Sequence, residues 1–208
     1  MSASSPITSH TMQPPRWFLL AGGVAAAMLF TAFLIGAIGM LRPTRSASDN
    51  WLIILFNLNF RPSSTQANAL SVVSLLDVGI MLLFGIVMAA MYPALRFRSR
   101  IWAAIAVALP FLGIPIFFVT GTAGRSAVLL AAFISSILAL RSQFYGPASA
   151  VAGILASALL LFLGDFGTAA FPPSTLLAVF IALGYILWTV WLLLISIELI
   201  RRSRYAAA

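Results

Sequence analysis

Hydrophobic positions along the chain come in long runs separated by short polar clusters. The first run opens at Arg16 and Trp17 and meets no further charge until Arg42. A spanning helix needs about 20 apolar residues, so 16–41 is long enough to cross a bilayer. The apolar core of a cleaved signal peptide is only about 7–15 residues, which makes this run an uncleaved anchor; the string Ser46-Ala47-Ser48 leaves cleavage as the alternative. A second run covers 69–91, broken only by Asp77 and ended by Tyr92-Pro93, since proline interrupts the helical ladder. A third covers 101–120, where Pro110, Gly113 and Pro115 predict a kink. The fourth, 126–140, is the shortest and is expected to borrow the preceding turn at 121–124. A fifth over 148–170 contains Asp165, and Pro172-Pro173 separates it from a sixth over 174–200. The pattern predicts an all-α, polytopic transmembrane bundle of six spanning helices. It forms one domain over 16–204, with a disordered tail at 1–15 and a short tail at 205–208.

The longest connection, 42–68, contains an apolar stretch at 51–60 from Trp51 to Phe60. Ten residues cannot span as a helix, so this reads as an interfacial or re-entrant segment in the first external loop. Trp51 suits the headgroup level, and a lid over a pocket is the alternative role.

Composition strengthens the membrane reading. Of 208 residues, 62% are hydrophobic and 8% charged, against about 45–50% apolar and about 25% charged in soluble domains. The net charge of +8 comes from arginine alone. These arginines flank apolar runs, so lipid headgroups explain them better than nucleic acid, which is not expected as a partner. There is no cysteine, and the one histidine, His10, lies in the N-terminal tail. Thiol chemistry, cysteine- or histidine-ligated metals, haem and a membrane Ser–His pair are therefore excluded. The expected cofactor and metal content is none.

With six spans both termini share a side. That side holds eight arginines (Arg16, Arg96, Arg98, Arg100, Arg141, Arg201, Arg202 and Arg204) against four on the other (Arg42, Arg45, Arg61 and Arg125). The positive-inside rule then puts both termini in the cytoplasm, in the inner membrane of a prokaryote. Locally, Arg42 and Arg45 outvote Arg16, so the first span alone argues the opposite way.

Small residues let membrane helices approach closely. Ser149, Gly153 and Ser157 recur at spacing four in the fifth run, a row suited to contacts within the chain or to a homodimer or partner face. Tyr185, Trp188 and Trp191 recur at spacing three in the sixth, as bundle packing or as the wall of a pocket.

Charges inside a bilayer demand a reason. Glu198 precedes Arg202 by four residues near the inner headgroups, the favourable order for a helical pair. Asp77 and Asp165 are different. Asp77 is about eight residues, or ~12 Å, from the outer end of its run, and Asp165 about five residues, or ~8 Å. Arg125 sits at the matching outer level, and its planar fork of donors can bridge two carboxylates. A polar cluster of Asp77, Arg125 and Asp165 follows, either a structural clasp or a substrate or proton site. Leu75–Gly79 and Leu163–Gly167 share L-x-D-x-G, but an inverted repeat would mirror the depth of the aspartates, and theirs is the same.

The "MYPALRFRSR" turn, the "SQFYGPASAVAGILAS" start of the fifth run and the "ALGYILWTVWLLLISIELIRR" ending resemble an uncharacterised bacterial and archaeal family of six-helix membrane proteins, a domain of unknown function. The resemblance implies the six-helix layout and no activity. Three functions stay open: a non-catalytic accessory or scaffold component, a small solute or proton-coupled transporter using the outer cluster, and a lipid- or isoprenoid-acting enzyme. The enzyme lacks the expected inner-face acids or histidines, and the transporter finds few polar groups in the inner half beyond Ser135, Ser136 and Thr189. The accessory role is therefore the expectation.

Overall fold

The computed structural model describes residues 14–41, 72–120, 123–142, 145–167 and 175–205. Among them the secondary structure is entirely helical. The order is α1 (Arg16–Leu41), α2 (Val72–Leu95), α3 (Arg100–Thr120), α4 (Ala123–Leu140), α5 (Pro147–Ala158, continued as a π-helix over Leu159–Gly167) and α6 (Thr175–Tyr205). Helices α1, α2, α3 and α6 contain stretches long and apolar enough to cross a membrane. Helices α4 and α5 are shorter apolar helices, so length supports four spans where the sequence predicts six. The segment 51–60 lies outside the described residues.

Helix is the form these segments must take if no water satisfies their backbone. Side-chain hydroxyls follow the same rule. Thr31, Thr120 and Thr189 each donate to the carbonyl four residues earlier, and Ser135, Ser142 and Ser203 to the one three residues earlier. Each hydroxyl is thereby satisfied locally, Ser142 from just past the end of α4.

The helices form a closed antiparallel ring. Each packs beside its neighbours in sequence, and α6 closes back onto α1. Glycines mark the closest approaches. A Cβ on Gly23 would meet Ile200 at 2.6 Å, and one on Gly22 would collide with Ala90. The starts of α1 and the ends of α2 and α6 therefore share a level. Ser196 adds a polar link here, donating from Oγ to the Gly23 carbonyl at 2.9 Å. On α3 the buried stripe is Ala103, Ala106, Pro110, Gly113 and Phe117, a helical spacing of three and four that turns one side to the bundle.

Helix ends or geometry differ from the sequence reading in α2, in the fifth run and in α6. Helix α2 runs through Pro93 to Leu95. The missing donor falls in the last turn, and Arg96 and Ser99 close that turn by donating to the Tyr92 and Leu95 carbonyls. Helix α3 stays one helix through both prolines. Helix α4 begins at Ala123 and so borrows the preceding turn as expected, with Gly124 packed into the α3 contact. The fifth run changes to π geometry after Ala158, and α6 continues past its first arginine to Tyr205. Arginines in that last turn complement the negative end of the helix.

Candidate functional site

Antiparallel packing sorts the polar groups to two ends. At one end lie the start of α1, the α2–α3 turn, the end of α4, the start of α5 and the end of α6. This end carries Arg16, Arg96, Arg98, Arg100, Arg141, Arg201, Arg202 and Arg204, with Trp17, Trp102 and Tyr205 exposed beside them. At the opposite end lie the start of α2 and the start of α4.

The opposite end holds the first polar site. Gly113 and Gly124 bring α3 and α4 together so closely that a Cβ on Gly113 would lie 2.7 Å from the Gly124 carbonyl oxygen. That contact fixes Arg125, the third residue of α4, against α3, with its guanidinium carbon 6.0 Å from the centre of the Phe117 ring. Asp77 lies five residues into α2, roughly 7.5 Å from the observed start at 1.5 Å per residue. Arg125 Nη2 donates to Asp77 Oδ2 at 2.9 Å. The side chains are 23% and 11% exposed, so the pair is largely shielded from solvent screening. Asp165 falls within the π-helix, and its side chain lies outside the described residues. Among the described residues, Asp77 and Arg125 join α2 to α4.

A second polar site occupies the arginine-rich end. Gly146 caps α5 with Pro147 at the first helical position, and no side chain of its own segment satisfies the first amides. Glu198 on α6 does so instead. Its Oε1 accepts from the Gly146 amide at 2.9 Å and from Ser149 Oγ at 3.3 Å. Ser149 also donates to the Gly146 carbonyl at 2.8 Å. The sequence reading paired Glu198 with Arg202. Here the direct hydrogen bonds are to the start of α5, and the Arg202 guanidinium carbon stands 5.1 Å from the centre of the Tyr145 ring. Burial pushes the Tyr145 phenol above its ordinary range, with Arg202 drawing it partly back. The signal that could have found this contact was the Gly146-Pro147 start itself. A helix beginning with no capping side chain must take an acceptor from elsewhere.

The aromatic stripe is core. Trp188 stacks on Phe84 with centroids 5.5 Å apart and planes at 13°, and Trp191 lies 5.3 Å from Trp188 and 5.9 Å from Phe84. Phe33 covers Trp188 and Tyr185 at 6.3 and 6.5 Å. Trp188 and Trp191 are buried, so the stripe is filled by rings from α1 and α2 rather than lining a pocket. The small-residue row is likewise consumed within the chain. Ser149 and Ser157 are buried, and a Cβ on Gly153 would strike Ser136 Oγ and the Trp191 indole nitrogen. Among the described residues, no three of His, Cys, Asp or Glu gather as metal ligands.

No family model, curated protein or solved structure matches the chain.

Proposed function

We propose that the chain is a six-span protein of a prokaryotic cytoplasmic membrane, with both termini inside, and that it serves as a non-catalytic accessory or scaffold component. Helix α4 has 18 residues, or ~27 Å of helix at 1.5 Å per residue, near the ~30 Å of a hydrocarbon core. Its ends need only slight bilayer thinning. Helix α5 and its π continuation make the remaining span. The observation that carries the functional reading is the employment of the charges. Both described acidic side chains, Asp77 and Glu198, sit at the start of a short helix and tie it to a long one. These two described carboxylates are thus engaged in architecture. The test is isolation of the full chain from its native membrane by mild crosslinking. A partner protein recovered at fixed stoichiometry is expected. Purification alone, with a pH-dependent solute flux in proteoliposomes that Asp77→Asn abolishes, would overturn the reading.

One observation favours transport as a second reading. Nine residues in π geometry are unusual, and π segments often mark functional sites. This one carries Asp165. In this reading Asp77, Arg125 and Asp165 form a solute or proton site, and the same flux measurement decides between the two.

A further inference from the structure

We propose that α6 carries, at the arginine-rich end, a binding site for one anionic phospholipid. The site is the open groove lined by Ile197, Ile200, Arg201, Arg204 and Tyr205. Positions 197, 200, 201 and 204 follow the three–four spacing of a single helical face. Arg201, Arg204 and Tyr205 are exposed, and Ile197 is 52% exposed. Arg201 stands over the Tyr205 ring with its guanidinium carbon 5.7 Å from the centre, which limits where that charge can move.

Charge selects the occupant. Glu198, three residues before Arg201, holds the start of α5, and Asp77, the other carboxylate with a described side chain, holds Arg125 at the far end. Arg202, between the two groove arginines in sequence, lies over Tyr145. Arg201 and Arg204 therefore present two positive charges three residues apart, where their Cβ atoms stand ~5–6 Å from each other and both can reach one phosphate. Ile197 sits one turn, about 5.4 Å, further into the bundle than Arg201. The groove is cationic at its mouth and aliphatic below, which is the layout of a phosphate joined to an acyl chain. A free anion would use the mouth and leave the isoleucines uncovered. Trp17 and Trp102 mark the same end as a headgroup level. Binding in detergent does not depend on which leaflet that end faces, so this site stands or falls apart from the scaffold reading.

The test uses the purified full chain in neutral detergent, with native mass spectrometry to count bound lipid. The probes are phosphatidylglycerol, phosphatidylcholine with the same acyl chains, and soluble glycerol 3-phosphate. One phosphatidylglycerol is expected to be retained in preference to phosphatidylcholine, with glycerol 3-phosphate unable to displace it at equal concentration. Arg201→Gln with Arg204→Gln should weaken retention about thirty-fold, or about fivefold per arginine. Arg96→Gln with Arg98→Gln removes equal charge from the same end and should leave retention unchanged. Equal loss in both double variants would show general charge attraction and overturn the site. So would the absence of any phosphatidylglycerol preference in the unmodified protein, a result that needs no variant to fold.

Discussion

Asp77→Asn is the sharpest probe of the bundle, because it removes a charge and keeps an acceptor oxygen of similar shape. Two unit charges 4 Å apart interact by about 4 kcal/mol at an effective dielectric of 20, before desolvation is subtracted. Exposed pairs yield about 0.2–1 kcal/mol, and breaking a buried pair costs about 3–5 kcal/mol. At 2.9 Å, with the side chains 23% and 11% exposed, the pair belongs between these classes. A loss of about 2 kcal/mol is expected. The two single variants should also differ. Asp77→Asn takes the Asp77 charge from a guanidinium that stays charged, beside the positive N-terminal end of α4. Arg125→Gln leaves a carboxylate that lies at the favourable end of the same dipole. Asp77→Asn should therefore be the costlier change by about 0.3–1 kcal/mol. The double variant should recover part of the loss, giving a coupling of about 1–2 kcal/mol. Reversible unfolding in mixed micelles, followed by helicity, measures all four species. Additive losses, or an Asp77→Asn cost below about 0.5 kcal/mol, would show that the pair does not hold α2 to α4.

Gly153→Ala should destabilise by about 1–3 kcal/mol in the same assay, since its Cβ would press on Ser136 and Trp191 in a filled core. Ser136→Ala should be neutral or stabilising, because its hydroxyl is buried with no hydrogen-bond partner among the described residues. Glu198→Gln should cost about 1 kcal/mol and speed amide exchange at Gly146 and in the first turn of α5, by weakening a charge-assisted cap. Reporter fusions after Arg100 and Arg204 should read cytoplasmic and one after Arg61 external; a cytoplasmic signal after Arg61 would invert the orientation.

Helix content was legible from the runs because lipid leaves the backbone few other forms. Boundaries were less so. Helix α4 takes in part of the turn at 121–124 as expected, but Gly124 is used there for contact with Gly113 and not for backbone freedom. Periodicity cannot distinguish these two uses of glycine. The Asp77–Arg125 contact was reachable from depth and charge, as each had few partners of opposite sign at that level. The Glu198–Gly146 contact was missed because local spacing offered Arg202 as an easy partner four residues on. The competing demand was non-local: the bare first turn of α5, 52 residues away in sequence. The stripe Tyr185, Trp188 and Trp191 was visible as a face, but its neighbour Phe84 comes from another helix, and only packing decides whether such a face is wall or core.

The two acids solve one physical problem. Helix α4 and the α-helical part of α5 are the shortest α-helical segments of the ring. A short helix that slides along its axis exposes its first amides to hydrocarbon, at several kcal/mol for each unsatisfied group. A carboxylate from a neighbouring long helix, placed at that N-terminus, opposes sliding in either direction. It meets the positive end of the dipole and, in α5, accepts the free amide directly. In α4 the acid reaches Arg125 in the first turn instead, so the charge pair sets the height. The two clasps lie at opposite ends of the bundle because antiparallel neighbours start at opposite ends. Each of the two short helices is thus pinned at its own beginning, and the long helices α2 and α6 that do the pinning also supply the Phe84, Trp188 and Trp191 rings between them. A device of this kind holds a bundle rigid, which is what a scaffold requires and what an alternating carrier would have to release.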